Sequence, residues 1–225
     1  MKIQRGMAPL AMPVEVIIVT AVATAAAVAV SGADSRVGRL QWLLAPCMWM
    51  AAALAPTMLR GRALVGIGLK ATRICAALKQ FARVAFIVIP LLFCGVFLLR
   101  RWGIKPPLQP GPAGGGWGYW VIYQFAYVAL AEELFFRGYV QTSIMDWLTQ
   151  VAPGRLGLWG LAAIFISSTL FSLAHVATVG SATAAIVFFP GLIFGWLRAR
   201  TDSLLAPILL HATANVAYAI ACAII

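Results

Sequence analysis

The chain has 225 residues, 63% of them apolar and 10% charged, with a mean hydropathy of +0.94 and a formal charge of +11 at pH 7. Soluble domains carry roughly 45–50% apolar and about 25% charged residues, so a soluble globular domain, a disordered chain and a fibre are all excluded. At about 20 apolar residues per crossing, the length suits an all-α, polytopic transmembrane bundle of about seven spans, six to eight at the limits. Residues 1–225 then form a single membrane domain with no room for a separate soluble one.

In chain order, Lys2 and Arg5 precede an apolar run over 14–30, interrupted only by Glu15 and two threonines. Together with Ser31-Gly32-Ala33 this has the outline of a cleaved signal peptide, but the further spans downstream favour a retained first helix. A second run, 40–59, contains Pro46 and Pro56, which membrane helices tolerate. Residues 60–83 intersperse Arg60, Arg62, Lys70, Arg73, Lys79 and Arg83 with apolar residues, the pattern of an amphipathic connector at the membrane surface. A third span is predicted over 84–99, ending at Arg100-Arg101. The clearest loop is 103–118, dense in proline and glycine.

A fourth helix starts near Trp117. The segment 117–149 is too long for one span, which predicts a membrane helix ending near Gly138 and an interfacial piece beyond it. Further spans are predicted over 157–176, 182–197 and 204–225. Drawn as straight spans, they put His175 and His211 about 15 Å apart in depth at 1.5 Å per residue. Gly191 and Gly195 form a GxxxG, a close-packing face between membrane helices. Residues 1–110 are N-terminal helices without an assigned role, and 117–225 carry the chemistry.

The basic residues lie between apolar runs, which makes them topology signals and lipid-headgroup contacts rather than a nucleic-acid surface. With seven spans and the N-terminus in the cytoplasm, eleven fall inside and five outside. Cys47, Cys75, Cys94 and Cys222 are scattered without CxxC spacing, so neither a disulfide framework nor a zinc knuckle is expected.

Six acidic residues occur in the whole chain, and Glu15, Asp34, Asp146 and Asp202 lie at segment ends or in loops. Glu132 and Glu133 instead interrupt an apolar, aromatic run, where each charge costs about 2.5–3.5 kcal/mol on insertion scales. Glu133 and Arg137 are spaced i, i+4 and pair on one face. Glu132 points about 100° away, with Phe136 four residues on and no local cation. A carboxylate so placed is a candidate general base. The chain has two histidines, and Phe171/His175 and His211/Asn215 are both i, i+4 pairs. Polar groups in lipid seek one another, so Glu132, Glu133, Arg137, His175, His211 and Asn215 are expected in one cavity. A carboxylate with a histidine deprotonates water, and a histidine with an asparagine receives an oxyanion. No GxSxG elbow or HExxH helix is present.

Glu132-Glu133-Leu134-Phe135-Phe136-Arg137-Gly138-Tyr139 reads as EExxxR with FRGY attached, followed by FxxxH at Phe171–His175 and HxxxN at His211–Asn215. In that order, over about residues 120–218, they resemble the CPBP family of CAAX-box prenyl-protein endopeptidases and bacteriocin-processing (ABI) proteins. The resemblance implies a glutamate-dependent intramembrane endopeptidase without a cofactor. Glu132 and His175 would activate water, His211 and Asn215 would stabilise the oxyanion, and Glu133 with Arg137 would orient them. Its partners would be membrane lipids and a protein or peptide substrate with a hydrophobic or lipidated C-terminal segment. The compact, alanine-rich chain leans towards a bacterial inner-membrane protein, processing peptides or C-terminal sorting helices. Two other readings compete: a zinc metalloprotease with Glu132, His175 and His211 as ligands, and a membrane scaffold or immunity protein without activity.

Overall fold

The structure is a computed structural model that describes residues 11–31, 41–108, 111 and 116–225. Lys2, Arg5, Gly32, Ala33, Asp34, Arg36, Arg39 and the proline–glycine stretches at 109–110 and 112–115 lie outside the described residues. Among the described residues there are seven helices and no strand. These are α1 (Ala11–Ser31), α2 (Gln41–Leu59), α3 (Ile74–Arg101), α4 (from Trp117 to Val151), α5 (Leu156–Val179), α6 (Phe188–Thr201) and α7 (Leu205–Ile224). Five helical segments are long and apolar enough to cross a membrane: α1, α3, α5, α7, and α6 with its 3-10 lead-in Ala182–Val187. The all-helical bundle expected from composition is therefore present.

α3 lies along α7, α5 against α6 and α1 against α2, while α4 threads between both halves. The larger apolar core joins α1, α2, α4 and α5, with Trp49 of α2 set against Phe135 and Phe136 of α4 at ring-centroid distances of 4.9 and 5.2 Å. A smaller core of Ala77, Phe194, Leu197, Ala206 and Leu210 joins α3, α6 and α7. Large apolar side chains such as Phe86, Ile87, Leu91 and Phe97 of α3 face outward, as expected of a surface bathed in lipid.

Three expectations need correction. The connector is shorter than 60–83: it holds the short 3-10 turns Leu64–Ile67 and Ala71–Arg73, and α3 begins at Ile74, ten residues earlier than periodicity places it. Its first turns, rich in Ala, Leu, Lys and Gln, are strong helix formers, so Lys79 and Arg83 ride on α3 itself. Second, α4 does not end at Gly138 but continues without a break to Val151. Third, the spans do not start at a common level. A Cβ on Gly138 would stand 3.3 Å from the Ile67 carbonyl oxygen and 3.4 Å from Leu204, so α7 starts beside the middle of α4. The α4–α5 hairpin runs on for about 13 residues, roughly 20 Å, before turning back. That offset brings His175 and His211 to one depth and removes the mismatch in the straight-span drawing.

The level at which α7 starts is fixed by a polar clasp. The Leu204 N–H donates to the Gly68 carbonyl at 2.9 Å. Asp202, in the left-handed region at φ 51°, caps α6 and accepts from Lys70 and from Arg198, the latter at 3.1 Å. Gly68 has φ 103°, and a Cβ there would meet the Arg198 guanidinium at 2.7 Å, so glycine is required. Burial pushes the Asp202 carboxyl up, but hydrogen bonds from Lys70 and Arg198 outweigh it and hold it below the usual aspartate range. A depressed folded value gives stability that is present above the ordinary aspartate value of about 3.9 and lost as pH falls through the folded one. Acidification from about pH 5 to about pH 2 is therefore expected to lower Tm more in wild type than in Asp202→Asn, as measured by thermal melting in detergent; equal slopes would remove the clasp's contribution.

Candidate active site

α4 is not a regular helix where its charged residues lie. It is π-helical over Gln124–Ala129, α-helical over Leu130–Glu133 and π-helical again over Leu134–Gln141. A π turn closes i to i+5 and takes one residue more than an α turn, and such turns gather at functional sites. Two of them bracket Leu130-Ala131-Glu132-Glu133.

Glu133 is fully buried and organises the centre. Its Oε1 accepts from Arg137 Nη1 at 3.0 Å and from His211 Nδ1 at 2.8 Å. The spacing-based Glu133–Arg137 pair is thus present, with both side chains at 0% exposure. Arg137 also donates through Nη2 to the Gly191 carbonyl at 3.2 Å, and its guanidinium lies 4.4 Å over the Phe171 ring. A carboxylate already paired with arginine only accepts, so the proton of the Glu133–His211 bond resides on His211 Nδ1. The His211 ring stacks on Phe194 at 4.9 Å, and its Nε2 faces Glu132 Oε2 at 3.7 Å.

His175 converges on the same oxygen from α5. Its Nδ1 is 3.0 Å from the Phe171 carbonyl oxygen, an acceptor, so the proton again resides on Nδ1 and Nε2 is turned to Glu132 Oε2, 3.8 Å away. Phe171, the first residue of the FxxxH pair, packs against His175 at 4.3 Å and edge-on to His211 at 5.9 Å. Glu132 Oε2 is buried and makes no direct hydrogen bond. Separations of 3.7–3.8 Å exceed a direct hydrogen bond but suit one water shared by three groups, at about 2.8 Å from each. Glu132 and His175 are partly open, at 16% and 23% exposure, whereas Glu133 and Arg137 are closed off.

Glu132, Glu133, Arg137, His175 and His211 therefore meet in one cluster. Asn215, one turn beyond His211 on α7, reaches a residue that motif reading misses: its Nδ2 donates to Gln124 Oε1 at 2.9 Å. Gln141 is missed as well; its Nε2 donates to the Gly195 carbonyl at 3.0 Å. The GxxxG of α6 thus lets two α4 side chains, Arg137 and Gln141, reach backbone carbonyls one turn apart. A Cβ on Gly191 would stand 3.3 Å from Arg137 and Phe171, and one on Gly195 3.0 Å from Gln141 and Ile164. Gln141 carried a sequence signal, since it is i, i+4 from Arg137.

Residues 114–217 match the model of the Rce1-like family, described as type II CAAX prenyl endopeptidase Rce1-like. This segment of the chain is similar to that family. It takes in all six motif residues and Gln124, and it agrees with the CPBP resemblance read from the motifs. No curated protein and no solved structure matches the chain. The chain is thus similar over residues 114–217 to a family of CAAX prenyl endopeptidases, and five of its helical segments are long and apolar enough to cross a membrane. Among the described residues, no group of three or more His, Cys, Asp or Glu side chains is arranged to hold a metal ion.

Proposed function

We propose that this protein is a glutamate-dependent intramembrane endopeptidase in which Glu132 is the general base. The observation that carries the reading is the placement of Glu132 Oε2 at 3.8 and 3.7 Å from the Nε2 atoms of His175 and His211. A water among them gives one proton to Glu132, while His175 Nε2 accepts its second hydrogen. The water oxygen attacks the scissile carbonyl carbon, and the carbonyl π electrons move to oxygen. His211, carrying protons on both nitrogens, and Asn215 donate to that oxyanion. On collapse the C–N bond breaks, Glu132 returns its proton to the leaving nitrogen, His175 Nε2 takes the remaining hydroxyl proton of the new carboxyl group and releases it to solvent, and a carboxylate and an amine result. Glu133 and Arg137 hold His211 in register.

The substrate in this reading is a protein or peptide whose hydrophobic or lipidated C-terminal segment lies in the membrane. We further propose a bacterial peptide-maturing or C-terminal sorting protease of the inner membrane, with the N-terminus cytoplasmic and no resident metal. The test uses protein purified in detergent and two sets of internally quenched peptides: farnesylated CAAX peptides and unmodified hydrophobic C-terminal helices. Wild type is expected to cleave within one set. His175→Ala is expected to lose about 10²–10⁴-fold in kcat/KM, and a chelator to leave the rate unchanged. Wild-type cleavage by His175→Ala would sink its role at the water, and chelator-sensitive cleavage with one zinc per chain would move the chemistry to a metal.

A further inference from the structure

We infer that Gln124 is a positioning residue for the reaction, holding the Asn215 amide in the orientation from which it serves the oxyanion. This rests on the hydrolytic reading above and adds to it a residue outside the three motifs.

The contact is direct. Gln124 Oε1 accepts from Asn215 Nδ2 at 2.9 Å across the α4–α7 seam, with Gln124 only 8% exposed. A primary amide carries two N–H donors. This bond engages one of them and fixes the plane in which the other lies. The terminal torsion of asparagine is otherwise broad, and a donor that must be ordered as charge develops forfeits the advantage of preorganisation.

The irregularity of α4 explains why this contact exists. In an unbroken α-helix Gln124 and Glu132, eight residues apart, would point about 80° away from each other. The π stretch Gln124–Ala129 absorbs one extra residue and turns the helix back by about 100°. Gln124 and Glu132 then differ by only about 20° and face the same side. The first π stretch thus begins at the residue it delivers, and α7 meets the result at Asn215, four residues after His211.

The experiment compares wild type, Gln124→Leu, Gln124→Glu, Asn215→Ala and the Gln124→Leu/Asn215→Ala double variant, using the quenched peptide that wild type cleaves fastest in the two sets above. Gln124→Leu is expected to lower kcat about 10- to 30-fold, less than loss of the donor itself, with KM within about twofold. Gln124→Glu keeps an acceptor oxygen at the same reach and is expected to regain most of that loss. In the Asn215→Ala background, Gln124→Leu is expected to cost no more than about twofold, because residues acting as a unit are not additive. Wild-type kcat in Gln124→Leu, or losses that multiply in the double variant, would overturn the positioning role and leave the hydrolytic reading standing. Wild-type kcat in Asn215→Ala would overturn the oxyanion assignment, and the positioning role with it.

A readout free of turnover is the Asn215 side chain in ¹⁵N-asparagine-labelled protein. One of its two amide protons is expected to exchange slowly in wild type and in Gln124→Glu, and rapidly in Gln124→Leu. Rapid exchange of both protons in wild type would overturn the inference.

Discussion

Glu132→Gln is expected to abolish cleavage, by about 10³-fold or more in kcat, while leaving the protein folded and abundant. The size follows from the role: general base catalysis contributes roughly 10²–10⁴-fold, and here the same oxygen also places the nucleophile between two imidazoles. The indifference of the fold follows from the contacts. Glu132 Oε2 makes no direct hydrogen bond, and its neighbours are 3.7–3.8 Å away, so an amide of the same shape breaks no bond that holds helices together. Melting and elution profiles of the two proteins are expected to coincide. A Glu132→Gln protein that fails to fold would make Glu132 a structural residue.

Arg137→Ala is expected to act in the opposite sense, on stability before activity. Arg137 is fully buried, bonded to the fully buried Glu133 and to the Gly191 carbonyl, and stacked over Phe171. Removing it leaves a buried carboxylate without its cation, which costs about 3–5 kcal/mol. It also opens a gap under the α6 GxxxG, where the chain backbones lie too close for side chains to refill it. Arg137→Lys is expected to rescue only part of this, because an ammonium cannot bond Glu133, reach Gly191 and lie flat on an aromatic ring at once. Steady-state level and Tm in detergent report both variants. Wild-type Tm in Arg137→Ala would remove the pair from the account of the fold.

These contrasts show what spacing reveals in a membrane chain. The Glu133–Arg137 pair is legible because i, i+4 geometry survives the local irregularity of α4. The convergence of Glu132, His175 and His211 follows from the scarcity of polar groups in an apolar bundle, and the structure brings those three together. Gln124 also stands in an apolar run, but α-helical periodicity points it away from Glu132, and no composition rule announces a π turn. The length of α4 is hidden for a related reason: Gly138 reads as a helix end, yet here it is the point where Ile67 and Leu204 approach the α4 backbone most closely. The relative levels of α5 and α7 depend on the clasp of Gly68, Arg198, Asp202 and Leu204, a contact between segments some 130 residues apart in sequence. Span-by-span reading has no access to such a contact.

The most direct test of the central claim is turnover of the quenched peptides by wild type and Glu132→Gln side by side, with metal content measured on the same preparations. The account predicts cleavage by wild type alone, with metal well below one ion per chain. Cleavage by both proteins, or cleavage that tracks a stoichiometric metal, would contradict it.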